Sequence, residues 1–284
     1  MALPAIHSLK RKNPKSHITV MTINKPLYHE LLKYDTAINQ LTYSTLKQNP
    51  HYGNPLKFFS EKKIIKEDIR KAEKKYGIVE THFVKMFRTP AKLYSRLPIS
   101  YYREHKTLKV AKELGVTLLT QRYNLKYSIK DDGWAKTYMR RNNLRPTKLI
   151  GLHFTGSTKN KSLSYREGQR IIRQLKLKGY DLVLFHDKHS YTRQEKHYDP
   201  KEVATYVSDN ILHAAALVDQ CKALICVDSG ISHVAAALNK KTFVIYFKDI
   251  WKWNSLALGD EIKAYVYKKK GEGLLRGIRS FISP

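Results

Sequence analysis

Short unbroken apolar runs and longer amphipathic stretches alternate along the chain, most cleanly in its second half. KLIGLHF (148–154) is apolar throughout, the pattern of a strand buried on both faces. YREGQRIIRQLKLKG (165–179) repeats apolar residues at helical spacing and closes on Gly179, suited to the left-handed turn beyond a helix. YDLVLFH (180–186) predicts the next strand, ILHAAALVDQC (211–221) a helix and ALICVD (223–228) a third strand. SGISHVAAALN (229–239) predicts a short helix ending at Asn239, and KTFVIYF (241–247) a fourth strand. Strands and helices in alternation predict a doubly wound α/β domain with a parallel sheet.

The first half repeats the theme less regularly. Helices are predicted over 2–13, stopped by Asn13 and Pro14, and over 26–34, with strands over 16–22 and 36–42. A charged helix follows over 61–77, with an apolar edge at Ile64, Ile65, Ile69 and Ala72 and a solvated basic face, and then a helix over 105–116. The polar stretch 128–147, ending in Asn142, Asn143 and Pro146, reads as a linker, which sets domains at 1–143 and 144–284. A parallel α/β domain ordinarily opens on a strand, whereas this chain opens inside a helix. The first strand of the N-terminal domain is therefore expected to lie before Met1.

At 284 residues, with 42% hydrophobic and 11% aromatic residues, the chain can bury substantial cores and is not a disordered polymer. Its formal charge of +29 implies an anionic partner: nucleic acid, an acidic membrane surface or a phosphorylated small molecule. Charge alone does not choose among them, because Lys-, Asn- and Tyr-rich usage also follows from an AT-biased genome. Cys221 and Cys226 fit neither a zinc knuckle nor a redox pair and are expected as buried reduced thiols. No apolar run approaches the ~20 residues of a membrane-spanning helix, and no secretory leader is recognisable. A cytoplasmic protein, at most peripheral to the inner membrane face, is expected.

Doubly wound sheets bind ligands beyond the carboxyl ends of their strands. Three loops open there: TGSTKNKSLS (155–164), DKHSYTRQEKHYDP (187–200) and DSG (228–230). The first combines the hydroxyls of Thr155, Ser157 and Thr158, a Gly156 that lets backbone amides approach, and the ammonium groups of Lys159 and Lys161. That mixture suits a diphosphate, although the spacing is not that of a Walker loop. In the third, Gly230 opens a helix N-terminus where free amides and the dipole favour an anion, and His233 lies about one turn further on. An ordinary Asp or Ser cap with an incidental histidine would leave the same residues, so spacing alone keeps both readings open. Asp187, acidic at a strand end, is placed to hold a ribose diol. His186, His189 and His197 are too irregularly spaced to predict a metal site, and WKWN (251–254) supplies aromatic surface for stacking or for an interface.

LIGLHFTGSTKNKSLS followed by LICVDSGISHVAAALNKKTFVIYF resembles glycosyltransferase family 9, the ADP-heptose:lipopolysaccharide heptosyltransferase family, whose signature is a strand ending in Asp-(Ser/Thr)-Gly, then x-x-His and a small-residue helix. ALPAIHSLKRKNPKSHITVMT resembles the segment just after that family's N-terminal Gly-Asp loop, and HKTLKVAKELGV its last N-domain helix. The resemblance implies a GT-B-like α/β fold of two Rossmann-like domains facing a cleft. The acceptor would lie on the N-terminal domain, the nucleotide sugar on the C-terminal one, and GLLRGIRSFI (273–282) would form the terminal helix returning toward the N-domain. By motif position, Asp228, Ser229, Gly230 and His233 would contact the donor's diphosphate and sugar, and Thr155, Gly156 and Ser157 the same phosphates. Lys161 matches the family's loop lysine, with Lys159 as the alternate register.

The implied reaction is inverting transfer of a heptose or related sugar to a lipopolysaccharide core or similar surface glycan, with no cofactor and no obligatory metal. Lys161 and His233 would stabilise charge on the leaving group. The family's general base, the Asp of the Gly-Asp loop, is expected before Met1. Leu163 and Ser164 stand where the family commonly has Trp, which bears on the donor sugar. Two other classes compete: a catalytically silent GT-B remnant that binds nucleotide or a partner, and a basic nucleic-acid-binding protein. The last lacks a helix-turn-helix, zinc finger or RNP-like segment, so no specific nucleic-acid partner is expected. A basic N-terminal half would favour residence near anionic lipid or a phosphorylated acceptor.

Overall fold

The structure is a computed structural model that describes residues 3–23, 26–45, 55–76, 106–118, 124–156, 159–187, 198–208, 210–247, 257, 259–267 and 273–283. The chain divides into two compact units, one chiefly of residues 1–121 and the other chiefly of 122–284.

In the first unit, α1 (Leu3–Lys12), β1 (Thr19–Ile23), α2 (Pro26–Leu32), β2 (Gln40–Ser44), α3 (Pro55–Tyr76) and α4 (Lys106–Glu113) follow in order. β1 and β2 pair in parallel, Thr19 opposite Gln40 through Ile23 opposite Ser44. Both strands start later than the apolar pattern predicts, because turns consume the first residues of each run. The Ser16 amide closes onto Asn13 O at 3.1 Å, and the Asp35 carboxylate accepts the Ala37 amide at 2.9 Å. Conversely, α3 begins at Pro55, earlier than predicted, since proline is preorganised for a first helical turn. Asp68 of α3 accepts Ser44 Oγ at 2.7 Å and the Thr45 amide at 2.8 Å, fastening that helix to the end of β2. Ala5 of α1 packs on Val110 and Ala111 of α4.

The second unit holds a six-stranded parallel sheet in the order β5-β4-β3-β6-β7-β8. Its strands are β3 (Leu149–His153), β4 (Asp181–Asp187), β5 (Ala204–Ser208), β6 (Ala223–Val227), β7 (Thr242–Tyr246) and β8 (Ile262–Val266). Alternation along each strand sorts side chains to two faces. Ile150, Leu152, Leu182, Leu184, Ile225, Val227, Phe243 and Ile245 meet Ile171, Ile172 and Leu175 of α6 (Tyr165–Leu177) and Leu274, Ile278, Phe281 and Ile282 of α9 (Leu274–Ile282). The other face, with Leu149, Val183, Phe185, Leu224, Cys226, Val244 and Tyr246, is covered by α5 (Ile129–Arg141), α7 (Ile211–Gln220) and α8 (Gly230–Ala237). Both faces being dry is why these strands read as unbroken apolar runs. Gly179 has the left-handed φ of 76° expected beyond α6. Cys221 and Cys226 are free and buried, and burial pushes the Cys221 thiol up to about 12.

Three features depart from the sequence reading. β5 and β8 went unpredicted because, on the two edges of the sheet, they bury little and show no apolar run. The predicted linker 128–147 is instead mostly α5, whose N-terminus is a capping box between Ser128 and Asp131 and whose buried contacts include Ala135 and Met139. The tail of that segment is pinned by Arg145, whose backbone amide and guanidinium hold both oxygens of Asp181 at 2.8–2.9 Å.

The Arg145 hydrogen bonds hold the Asp181 carboxyl below its ordinary range, outweighing burial. A depressed carboxylate contributes stability that is present above the unfolded value of ~3.9 and lost as pH falls through the folded one. Asp181→Asn is expected to remove that part of the acid-limb slope in urea titrations as pH falls below about 5. At the sheet centre, a Cβ on Gly151 would lie 2.8 Å from Leu224 Cδ1, 3.1 Å from Phe185 and 3.2 Å from Cys221 Sγ. Gly151→Ala is expected to cost about 1–3 kcal/mol by chemical denaturation.

Candidate functional site

β3 is the topological switch point of the second unit: the chain leaves it for β4 and β5 on one side and returns as β6 on the other. His153 pairs with Cys226 at the carboxyl ends of β3 and β6, so the loops leaving these two strands emerge side by side. Crevices of this kind are where open α/β sheets bind ligands.

The loop after β3 is closed by its own hydrogen bonds. The Leu163 amide donates to Phe154 O at 2.9 Å, and the Gly156 amide donates to Ser162 Oγ at 2.9 Å. A short 3-10 turn, Lys159–Lys161, lies between, and Leu163 is buried in the core. The following residue, Ser164, caps α6. Its hydroxyl and amide both donate to Glu167 Oε2, and the Tyr267 hydroxyl donates to the other oxygen of the same carboxylate. A Cβ on Gly156 would lie 2.5 Å from Lys161 O and 2.6 Å from Lys161 Cβ. Gly156 is therefore required by the loop's own closure, and its amide is engaged within the loop, which differs from the ligand-facing amide the sequence suggests.

The loop delivers Lys161 Nζ to 3.1 Å from Asp228 Oδ2, with the two side chains 29% and 15% exposed. Asp228 prolongs β6, its amide donating to Ile245 O at 3.1 Å. Ser229 is the extended cap residue of α8, yet its side chain makes no capping hydrogen bond. Ser229 Oγ donates back to Val227 O at 3.1 Å, and Ser232 Oγ donates to Ser229 O at 2.7 Å. The ordinary-cap reading of the DSG turn, in which a side chain would accept the first amides of the helix, is thus not what this turn does. Gly230 opens α8 with no positive φ, and nothing lies within 4 Å of where its Cβ would be. His233 is half-buried one turn on. Thr155 Oγ1 is buried, with no hydrogen-bond partner among the described residues. An ammonium, helix amides without a side-chain cap, a hydroxyl and open space at a glycine are the kinds of group that hold an oxyanion.

Of the remaining sequence candidates, Lys159 contributes its backbone to the 3-10 turn, and Asp187 ends β4 opposite Ser208. The side chains of both, together with Ser157, His189, His197 and residues 251–254, lie outside the described residues. His186 is buried at the end of β4. Among the described residues, no group of three His, Cys, Asp or Glu side chains is placed to hold a metal, and no helix is long and apolar enough to cross a membrane. Sequence reasoning missed Ser162, Glu167 and Tyr267. The Ser164-x-x-Glu167 spacing before an apolar helix was the signal for the cap, whereas nothing local marks Tyr267 as its partner.

The architecture is that of GT-B glycosyltransferases, as comparison with solved structures shows. A glycosyltransferase family 9 structure from Veillonella parvula superposes with a TM-score of 0.67 at 16% identity, covering 99% of this chain and 86% of that one. E. coli ADP-heptose lps heptosyltransferase II gives 0.66 at 15% identity, covering 99% and 93%. E. coli heptosyltransferase WaaC with ADP-2-deoxy-2-fluoro heptose gives 0.62 at 13%, covering 99% and 94%. No curated protein matches in sequence. The sequence model for glycosyltransferase family 9 (heptosyltransferase) matches residues 95–249, more than half of the chain. The chain belongs to glycosyltransferase family 9.

The two glycines of the site predict opposite stabilities. Gly156→Ala must move Lys161 backbone and is expected to cost about 1–3 kcal/mol. Gly230→Ala, in open space with helical backbone, is expected to be neutral or stabilising by up to ~1 kcal/mol. Urea titration of both variants checks the pair.

Proposed function

We propose that the second unit seats the diphosphate of a nucleotide sugar, and that the protein transfers that sugar, a heptose or a close relative, to a lipopolysaccharide core or similar surface glycan with inversion. The observation that carries this is the convergence of Lys161 on Asp228 beside the uncapped N-terminus of α8 at the switch point. Family membership supports the reaction class. The E. coli structure with ADP-2-deoxy-2-fluoro heptose makes ADP the first nucleotide to test.

Each residue then has a distinct task. The amides at Ser229 and Gly230 and the α8 dipole hold the phosphates, and Thr155 Oγ1 acquires the acceptor it lacks. Charge grows on the nucleoside diphosphate as its bond to the sugar breaks. Lys161 and His233, fixed before the reaction, oppose that charge without reorganising. Asp228 sets where Lys161 sits and offers an acceptor to a sugar hydroxyl, and Asp187 is assigned to the ribose diol. Ser157 and Lys159 complete the phosphate loop. The reading places the protein in the cytoplasm, where nucleotide sugars and the acceptor meet at the membrane face.

Calorimetric titration with ADP, UDP and GDP tests the seat. One nucleotide is expected to bind at a single site, with Lys161→Ala weakening it about 10- to 100-fold, as loss of a charge-assisted hydrogen bond does. His233→Ala is expected to weaken binding as well, and Gly230→Ala to weaken it at least about tenfold while leaving stability intact, because its methyl fills the seat. Binding that ignores all three substitutions would sink the proposal.

A further inference from the structure

Charge is distributed unevenly over the second unit. On the α5/α7/α8 side, signs are mixed: Lys136 pairs with Asp132 at 2.7 Å, and Lys240 lies 3.6 Å from Asp219. On the opposite side, α6 and α9 carry six basic residues and one acid. That acid, Glu167, is committed to Ser164 and Tyr267. Arg166, Arg170 and Arg173 of α6 are exposed, and among the described residues no carboxylate pairs with them. Arg276 and Arg279 of α9 are exposed on the same layer.

The α6 residues form a line. Positions 166, 170, 173 and 177 fall within about 60° of the helix circumference and span about 17 Å. The fourth is Leu177, 90% exposed. Helix stability does not account for this pattern, because Arg166 stands in the first turn, where the dipole disfavours a cation. Arg166 and Arg170 are also like charges at i and i+4, which disfavour a helix. The basic face of α3 in the first unit differs in having Glu67 exposed among Lys63, Lys66, Arg70 and Lys74.

We propose that the Arg166–Arg170–Arg173–Leu177 ridge of α6, supported by Arg276 and Arg279, docks on an anionic phospholipid bilayer. Arginines meet lipid phosphates, and Leu177 enters the boundary between headgroups and acyl chains. A polynucleotide fits less well, since the ridge carries no aromatic ring to stack on a base. The inference rests on the membrane-face placement proposed above, transfers the contact from the N-terminal half to the second unit, and does not depend on the diphosphate seat.

Sedimentation of the full chain with phosphatidylcholine vesicles, and with vesicles of three parts phosphatidylcholine to one part phosphatidylglycerol, at 0.1 M salt tests it. Binding to the anionic vesicles alone is expected, falling about fivefold for each arginine neutralised and thus about 100-fold for Arg166→Gln, Arg170→Gln and Arg173→Gln together. Leu177→Gln is expected to weaken binding by a factor that does not change with salt. A charge-matched variant of α3, with Lys63→Gln, Arg70→Gln and Lys74→Gln, is expected to bind as wild type. Equal loss in both triple variants would reduce the effect to net charge and overturn the proposal, as would no vesicle binding or preferential capture of polyadenylate. Nucleotide titration and thermal melting of the α6 variant keep failure of the surface distinct from failure of the seat or of the fold.

Discussion

The parallel pairing of β3 with β6 is the constraint on which the site depends. Parallel neighbours end at the same edge of a sheet, and with His153 opposite Cys226 the two chains leave that edge in step. Residues 161 and 228, far apart in sequence, meet because the backbone ladder leaves their loops no other exit. The pairing is secured by what covers it. Ile150, Leu152, Ile225 and Val227 bury one face and Leu149, Leu224 and Cys226 the other, so a shift of one residue would exchange the two faces of each strand.

Above that rigid edge, the loop after β3 is specified by small contacts. Ser162 takes the Gly156 amide, Leu163 anchors in the core, and Ser164 begins α6 under the Glu167 cap. Each fixes a residue next to Lys161, so the long lysine starts from a defined backbone. The position of its ammonium beside Asp228 follows from that loop geometry and from the rigid end of β6. Gly156 and Gly230 show how differently glycine can serve within one site. The first makes room for the protein's own backbone, and the second leaves room that the protein does not fill.

Legibility in the sequence tracked burial. β3, β4, β6 and β7 are central, dry on both faces and continuous in apolar residues, and their positions could be read directly. β5 and β8 are edge strands, whose half-exposed residues carry no such run. α5 was mistaken for a linker because Lys130, Asp131, Asp132, Lys136, Arg140 and Arg141 dominate its sequence; its local signs were the Ser128-x-x-Asp131 spacing and the core-facing Trp134, Ala135, Tyr138 and Met139 at helical spacing. Asp228 and Gly230 stood out as candidates because strand ends and helix starts have recognisable chemistry, and Lys161 through the family resemblance, with Lys159 as the alternate. Which lysine faces Asp228 and whose amide Ser162 takes were not legible, because those depend on how the loop folds over itself.

The same logic bears on why an acidic residue stands beside the proposed anion seat. Alone, Asp228 would repel a diphosphate at the N-terminus of α8. Paired with Lys161 it presents little net charge, and the lysine is held near its working position at a pairing energy that is modest for groups still partly reached by water. On the proposed function, an arriving diphosphate would offer Lys161 more negative charge than one carboxylate does, so the pair would be exchanged instead of merely broken. Asp228 would then be released beside the phosphates with an acceptor for a hydroxyl. A fixed hydrophobic residue at 228 would remove the repulsion but would neither hold the lysine in the empty protein nor answer the polar face of a sugar.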